Sequence, residues 1–397
     1  MSRRTWIVAL VGLAALRVAV PLVALAASGR DLGVFPRYDY EPLIGDATGF
    51  YATARELISA AAGPAGAVAL VLLAAGGWAA WKLPRAWYRV VAAAASVALA
   101  ATVVVLASEP AGAAVVGWPL LWAVLLLPFR ILGLLGDDLA FAVSLPVLLA
   151  ANAVTVVATA YIGLRTTGSR AVGVAAAGLL TLWPFVVRPL AGERAWENGQ
   201  WLVDVGLALY NEPLSTALVS AALALLLAPR LDETRLATAG LLLGFATAVK
   251  VSNGLVAVLA AAFVVWRLGP RRSIPFAAAG LPFAVLVLVY WPKGYPVIPN
   301  VPGFSLAQAR RSWSDSSVFD PLTLLVLLPL PLLALALLRT WATALLAATI
   351  AATAAFYTFY EHTHLHPRFL YVALPALFAL EAAGGWLVLR KGRAILG

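Results

Sequence analysis

The chain has 397 residues, of which 63% are hydrophobic and only 12% charged, with a net charge of +10 and no cysteine. Its mean hydropathy of +0.93, carried by long apolar runs between short basic clusters, excludes an ordinary soluble core and marks a polytopic membrane protein. Disulfide and thiolate chemistry are excluded as well. The basic residues are scattered among turns, a distribution that speaks for membrane orientation and against nucleic-acid binding.

In chain order, runs of about 20 apolar residues predict spans near 5–28, 64–81, 90–107, 139–164, 171–188, 204–228, 236–250, 254–267, 274–291, 321–338, 341–358 and 369–388. The first is read as an uncleaved helix, because its apolar stretch is long enough to cross. Segment 29–63 is a first outer loop that turns amphipathic: Phe50, Tyr51, Ala54, Leu57 and Ile58 recur at helical spacing, as in a helix lying on the bilayer surface. Within 108–138, the run AAVVGWPLLWAVLLLPFRILGLL contains Pro119 and Pro128 and is read as a re-entrant or interfacial segment. With that segment not crossing, Lys82/Arg85/Arg89, Arg165/Arg170, Arg230/Arg235, Arg267/Arg271/Arg272, Arg339 and Arg390/Lys391/Arg393 all fall on the side of Arg3 and Arg4. The positive-inside rule then predicts both termini in the cytoplasm. The expected fold is therefore all-α: a polytopic transmembrane helical bundle of about twelve spans, one membrane domain over 1–397 without a soluble C-terminal domain. Most of the 18 acids and all three histidines fall on the outer side, so any chemistry is expected to face outward.

Asp46, flanked by Gly45 and Gly49 in RYDYEPLIGDATGFYATAREL, is a candidate general base. The same position before a helix also suits a cap on free backbone N–H groups. Lys250 stands 15 residues after Arg235, about 22 Å along a helix. That leaves it beneath the outer surface of a hydrocarbon core about 30 Å thick. An ammonium costs about 2.5–3.5 kcal/mol there, so Lys250 is read either as a ligand for lipid-linked phosphate or as a snorkelling anchor. Arg368 in EHTHLHPRFLYVALPALFAL suits bidentate phosphate binding or interfacial anchoring. His362, His364 and His366 alternate; His364 and His366 are read as hydrogen-bond donors to phosphate or sugar oxygens, with metal ligation less favoured. Arg310 and Arg311 are a further phosphate-clamp candidate. Glu193, Trp196, Glu197, Trp201 and Glu212, with Tyr51, supply the carboxylates and rings that bind sugar hydroxyls and stack on sugar C–H faces; membrane-interface belts use the same aromatics. Arg17 and Glu381, charges inside the first and last spans, are expected to pair. No Walker A, His-Glu-x-x-His or Gly-x-Ser-x-Gly pattern occurs.

These elements resemble the GT-C superfamily of membrane glycosyltransferases. GDATGFYATAREL is similar to the family's acidic first outer loop and surface helix, WPLLWAVLLLPFRILG to its proline-containing outer helix, YNEPLSTALV and GFATAVKVSNGLVAV to its middle helices, and HPRFLYVALPALFAL to the start of a late helix. The first loop departs from the family in lacking an Asp-Asp, Asp-x-Asp or Glu-Asp pair; Asp39-Tyr40-Glu41 is the nearest. The resemblance implies a mannosyltransferase-like enzyme of the cell membrane. It would move a sugar from a polyprenyl-phosphate donor to a glycan, lipid or protein hydroxyl on the extracytoplasmic face, with inversion, without a cofactor and without a required metal. Asp46 would be the base and Lys250, Arg368, His364 and His366 the phosphate ligands. The alternative is a secondary transporter or a lipid-linked glycan flippase, which predicts inverted repeats and mid-membrane charges.

Overall fold

The computed structural model describes residues 1–27, 46–109, 116–134, 137–190, 211–294, 306–314, 327–359 and 367–396. They are all-helical: α1 (Arg3–Ala27), α2 (Asp46–Ala61), α3 (Pro64–Lys82), α4 (Ala86–Ala107), α5 (Gly117–Ile131), α6 (Asp137–Thr167), α7 (Arg170–Leu190), α8 (Glu212–Leu226), α9 (Glu233–Val249), α10 (Asn253–Leu268), α11 (Pro270–Gly294), α12 (Leu306–Ser314), α13 (Pro329–Leu338), α14 (Trp341–Thr358), a 3-10 turn (Pro367–Ala373) and α15 (Leu374–Leu396). Among the described residues six helical stretches are long and apolar enough to cross a membrane: Pro64–Lys82, Ala86–Ala107, Ala142–Thr167, Pro270–Trp291, Trp341–Thr358 and Leu370–Arg390. Shorter apolar helices, α5, α8, α10 and α13 among them, pack between and beside these. Large apolar side chains such as Val68, Leu70, Trp78 and Trp81 stand exposed along α3, as a lipid-facing helix requires and a water-facing one penalises.

Small residues set the closest crossings. Gly240 and Gly244 of α9 lie against the backbone of Phe276 and Gly280 of α11, so the two helices approach without side chains between them. The same device joins α6 to α7, where Gly163 meets Ala176 and Gly173 meets Ala160.

Two ends of the bundle are chemically distinct. At one, the basic turns meet: Arg85 reaches Glu233 at 4.0 Å, Arg170 donates to the Met1 carbonyl at 3.3 Å, and the Arg267 guanidinium lies 3.6 Å from the Trp341 ring centroid. At the other end, α9 is capped by Lys250, and Tyr357 in the last turn of α14 meets Ser252 just before α10. Helices α10 and α14 are thus joined at both ends, by Arg267–Trp341 and by Ser252–Tyr357. The proline-bearing segment expected not to cross forms α5, only 15 residues long, with Gly117 against the backbone of Ala248 and Val249. Tyr51 of α2 meets Trp122 of α5 edge-on at 6.0 Å, so the amphipathic helix and the proline-bearing helix pack as a pair.

The expected Arg17–Glu381 pair does not form. Arg17 Nε donates to Asn152 Oδ1 at 3.2 Å and Nη2 donates to the Tyr371 hydroxyl, while Glu381 Oε1 has no hydrogen-bond partner among the described residues. The reason is depth. Tyr371, ten residues before Glu381, already occupies Arg17, and ten residues of helix carry the carboxylate about 15 Å further along.

A Gly240→Ala change sets a Cβ 2.0 Å from the Phe276 carbonyl oxygen. Overpacking of that kind costs about 1–3 kcal/mol, so thermal unfolding in detergent should show a lowered midpoint. Gly77→Ala, whose Cβ meets nothing within 4 Å, should leave the midpoint as high as in the wild type or higher, since Ala is the better helix former.

Candidate functional site

The polar end is built from helix termini. Glu212 opens α8, with Pro213 following, and Lys250 is the C-cap of α9. A carboxylate in a first turn and an ammonium at a last one each complement the helix dipole. Lys250 Nζ donates to Glu212 Oε1 at 2.9 Å, with Lys250 8% and Glu212 3% exposed. The lysine does not snorkel outward; it is tied into the bundle.

Short polar side chains surround the pair. Asn211 Nδ2 donates to the Val249 carbonyl at 3.1 Å, at the last turn of α9. Asn253 Nδ2 donates to Ser215 Oγ at 2.5 Å and to the Ala246 carbonyl at 2.9 Å. Ser252 Oγ and the Tyr357 hydroxyl are 2.6 Å apart, and Lys250 Nζ lies 5.2 Å from the Tyr357 ring centroid. One cation therefore sits between a carboxylate and an aromatic ring. In a medium of low dielectric both contacts gain strength.

Two further elements converge on this end. The 3-10 turn packs against α8 and α14, with Leu370 clustered on Tyr357, and Arg368 is the second residue of that turn. On the other side, the start of α5 touches the backbone next to Lys250 at Val249. Trp118 and Trp122 of α5, fully buried with ring centroids 5.4 Å apart, carry the contact on to Tyr51 of α2. Asp46 is the first residue of that helix.

The sequence-derived candidates are thus sorted. Lys250 and Glu212, assigned separately to phosphate and sugar, form one ion pair. Arg368, by its backbone position, belongs to the same end. Asp46 belongs to a helix linked to that end through α5. Tyr51 is buried, 5% exposed. Arg310 and Arg311 are exposed on α12, a short helix packed on α14. Glu193, Trp196, Glu197, Trp201, His362, His364 and His366 lie outside the described residues. Sequence reasoning missed Tyr357, Ser252 and Ser215 as members of the cluster. A hydroxyl in an apolar helix carries no charge to single it out, and a lone Ser or Thr there more often bonds its own backbone, as Thr349 and Thr353 do in α14. Comparison with family models, with curated proteins and with solved structures gives no match for the chain.

Removing one partner of a buried ion pair strands the other, at a cost of about 3–5 kcal/mol, whereas replacing both with apolar groups is often neutral. Glu212→Leu and Lys250→Met alone should each lower the unfolding midpoint in detergent, and the double variant Glu212→Leu/Lys250→Met should regain most of the loss. Additive losses in this double-mutant cycle would mean that the two charges do not depend on each other.

Proposed function

We propose that the protein is a GT-C-like membrane glycosyltransferase that takes its sugar from a polyprenyl-phosphate donor. It would cross the bilayer about twelve times, with both termini and the basic turns in the cytoplasm and the Lys250 end outside. The observation that carries this reading is the buried Glu212–Lys250 pair in its polar cluster, opposite the basic turns. The Asp46-bearing helix is joined to that cluster through α5, and Arg368 stands on the adjoining 3-10 turn.

The chemistry is a single inverting displacement. The acceptor hydroxyl oxygen attacks the anomeric carbon of the donor as the bond from that carbon to the phosphate oxygen breaks. The acceptor proton passes to the Asp46 carboxylate, and the electron pair of the broken bond leaves with the polyprenyl phosphate. Cationic and hydrogen-bonding groups at the phosphate stabilise the charge that develops there; Lys250, Arg368, His364 and His366 are the groups proposed for that task. Arg310 and Arg311 would meet the phosphate from α12. Glu212 orients Lys250 directly, and the loop containing Glu193, Trp196, Glu197 and Trp201 would hold sugar or acceptor.

One feature favours transport as a second reading, by a secondary transporter or a lipid-linked glycan flippase. Helices α8, α9 and α10 have 15, 17 and 16 residues, and their ends meet at a buried charge pair, an arrangement that transporters also use. The two readings separate on whether a covalent bond breaks.

Purified protein supplied with polyprenyl-phosphate mannose or glucose and a panel of glycan acceptors should release polyprenyl phosphate and form a glycoside of inverted configuration. Asp46→Asn should lower the rate about 10²–10⁴-fold, the usual worth of a general base, with its unfolding midpoint unchanged. Full transfer by Asp46→Asn would remove Asp46 from the base role. Movement of intact donor across proteoliposomes, with no bond broken, would establish transport.

A further inference from the structure

Arg17 and Lys250 are the two buried cations among the described residues, and they differ in one respect. Arg17 is 6% exposed, yet no Asp or Glu among the described residues forms an ion pair with it. Its contacts are neutral: Nε donates to Asn152 Oδ1 of α6 at 3.2 Å, and Nη2 donates to the Tyr371 hydroxyl on the 3-10 turn. The third nitrogen, Nη1, donates to none of the described residues and is not among the fully enclosed side-chain nitrogens that lack a partner. Arginine, unlike lysine, keeps its charge when buried. A guanidinium held by two neutral acceptors inside an apolar bundle is expensive, and such a residue marks a site for an anion more often than a stabilising contact.

The position selects the kind of anion. Arg17 stands 14 residues beyond Arg3 on α1, about 21 Å from the basic end, in the polar-end half of a helix of 25 residues. Its neighbour Leu16, with Val8 and Val11 further down α1, is exposed, so α1 lines the perimeter of the bundle. A hydrocarbon chain lying along those residues can carry a headgroup inward to Nη1. The 3-10 turn lies between the two cations: Tyr371 is on Arg17, and Leu370 packs on Tyr357, whose ring faces Lys250. Lys250 is already neutralised by Glu212. Arg17 has no acidic partner among the described residues.

We infer that Arg17 binds the phosphate of an amphiphile in the seam between α1, α6 and the 3-10 turn. Asn152 and Tyr371 are positioning residues that hold the guanidinium with one edge open. The inference rests on the reading of the protein as a user of lipid-linked phosphate, and it adds Arg17 to the residues proposed to meet that phosphate.

The test uses the full-length protein in dodecyl maltoside, a detergent without phosphate, with farnesyl phosphate as the probe and farnesol and inorganic phosphate as separate arms. Farnesyl phosphate should raise the unfolding midpoint saturably, and farnesol should not. Arg17→Gln, which keeps a hydrogen-bonding group but no charge, should bind the probe tenfold or more weakly. An Arg17-dependent shift with inorganic phosphate alone would uphold the anion site and assign it to free phosphate. Binding by Arg17→Gln as tight as by the wild type, or no binding by the wild type, overturns the inference. If Arg17→Gln does not fold, Arg17→Lys carries the test. An ammonium lacks the guanidinium fork, so several-fold weaker binding is expected, and unchanged affinity overturns the inference. Arg17-dependent binding without any sugar transfer would leave this inference standing and remove the transferase; transfer with Arg17-independent binding would do the reverse.

Discussion

An ammonium and a carboxylate brought together inside an apolar bundle fix the arrangement of everything around them. Each ion alone carries a desolvation cost of several kcal/mol, recovered only if geometry is good and the remaining polar atoms are served. At the Lys250 end the geometry is set by backbone. Glu212 stands where free N–H groups of α8 favour a negative charge, and Lys250 where the last carbonyls of α9 favour a positive one. Asn211 then ties α8 to the Val249 carbonyl, and Asn253 ties α10 back to Ser215 of α8. The ends of three short helices are locked by the same few atoms that satisfy one another. This explains why these helices are short: extending α9 by a turn would carry Lys250 away from Glu212.

The second cation obeys the same physics with a different outcome. Lys250 has an ionic partner inside the chain and a ring beside it, whereas among the described residues Arg17 has two neutral partners. The element between them is the 3-10 turn, which contacts Tyr357 through Leu370 and Arg17 through Tyr371. A shift in that turn is therefore felt at both cations, by one through a hydrogen bond and by the other through packing on the ring that faces it.

How much of this was legible in the sequence depends on what each residue signals. Span 341–358 coincides with α14, and 64–81, 90–107 and 254–267 fall within a few residues of α3, α4 and α10, because apolar runs bounded by Arg, Lys, Pro or Gly leave a helix little choice of ends. Lys250 was visible as a lone charge in an apolar stretch. Its pairing with Glu212 was not, since the two are 38 residues apart and Glu212 lies beside a loop rich in carboxylates that serve equally well on paper. The expected pairing of Arg17 with Glu381 follows from neither charge being stable alone in lipid. The structure instead uses Asn152 and Tyr371, neutral groups at separations of 135 and 354 residues that hydropathy does not register. The glycines at 240 and 244 form a G-x-x-x-G spacing, legible in principle, but a reading based on hydrophobicity ignores the absence of a side chain.

The aromatic link from α2 to the Lys250 turn completes the constraint. In the proposed reaction a base on α2 and a phosphate-binding cation at the end of α9 would act on one substrate only if their separation were fixed, because a misplacement of about 1 Å costs rate heavily. Helix α2 is separate in sequence from α9, and flexible side chains alone would not hold that separation. Here the connection runs through Tyr51, Trp122 and Trp118, large rings with few rotatable bonds, and ends where Gly117 lets α5 touch the backbone of Ala248 and Val249 directly. Any side chain at position 117 would push α5 off the turn and lengthen the path by the width of a methyl group or more. The glycine in α5 is therefore part of how the Asp46 helix is held at its distance from Lys250, although neither residue is near it in sequence.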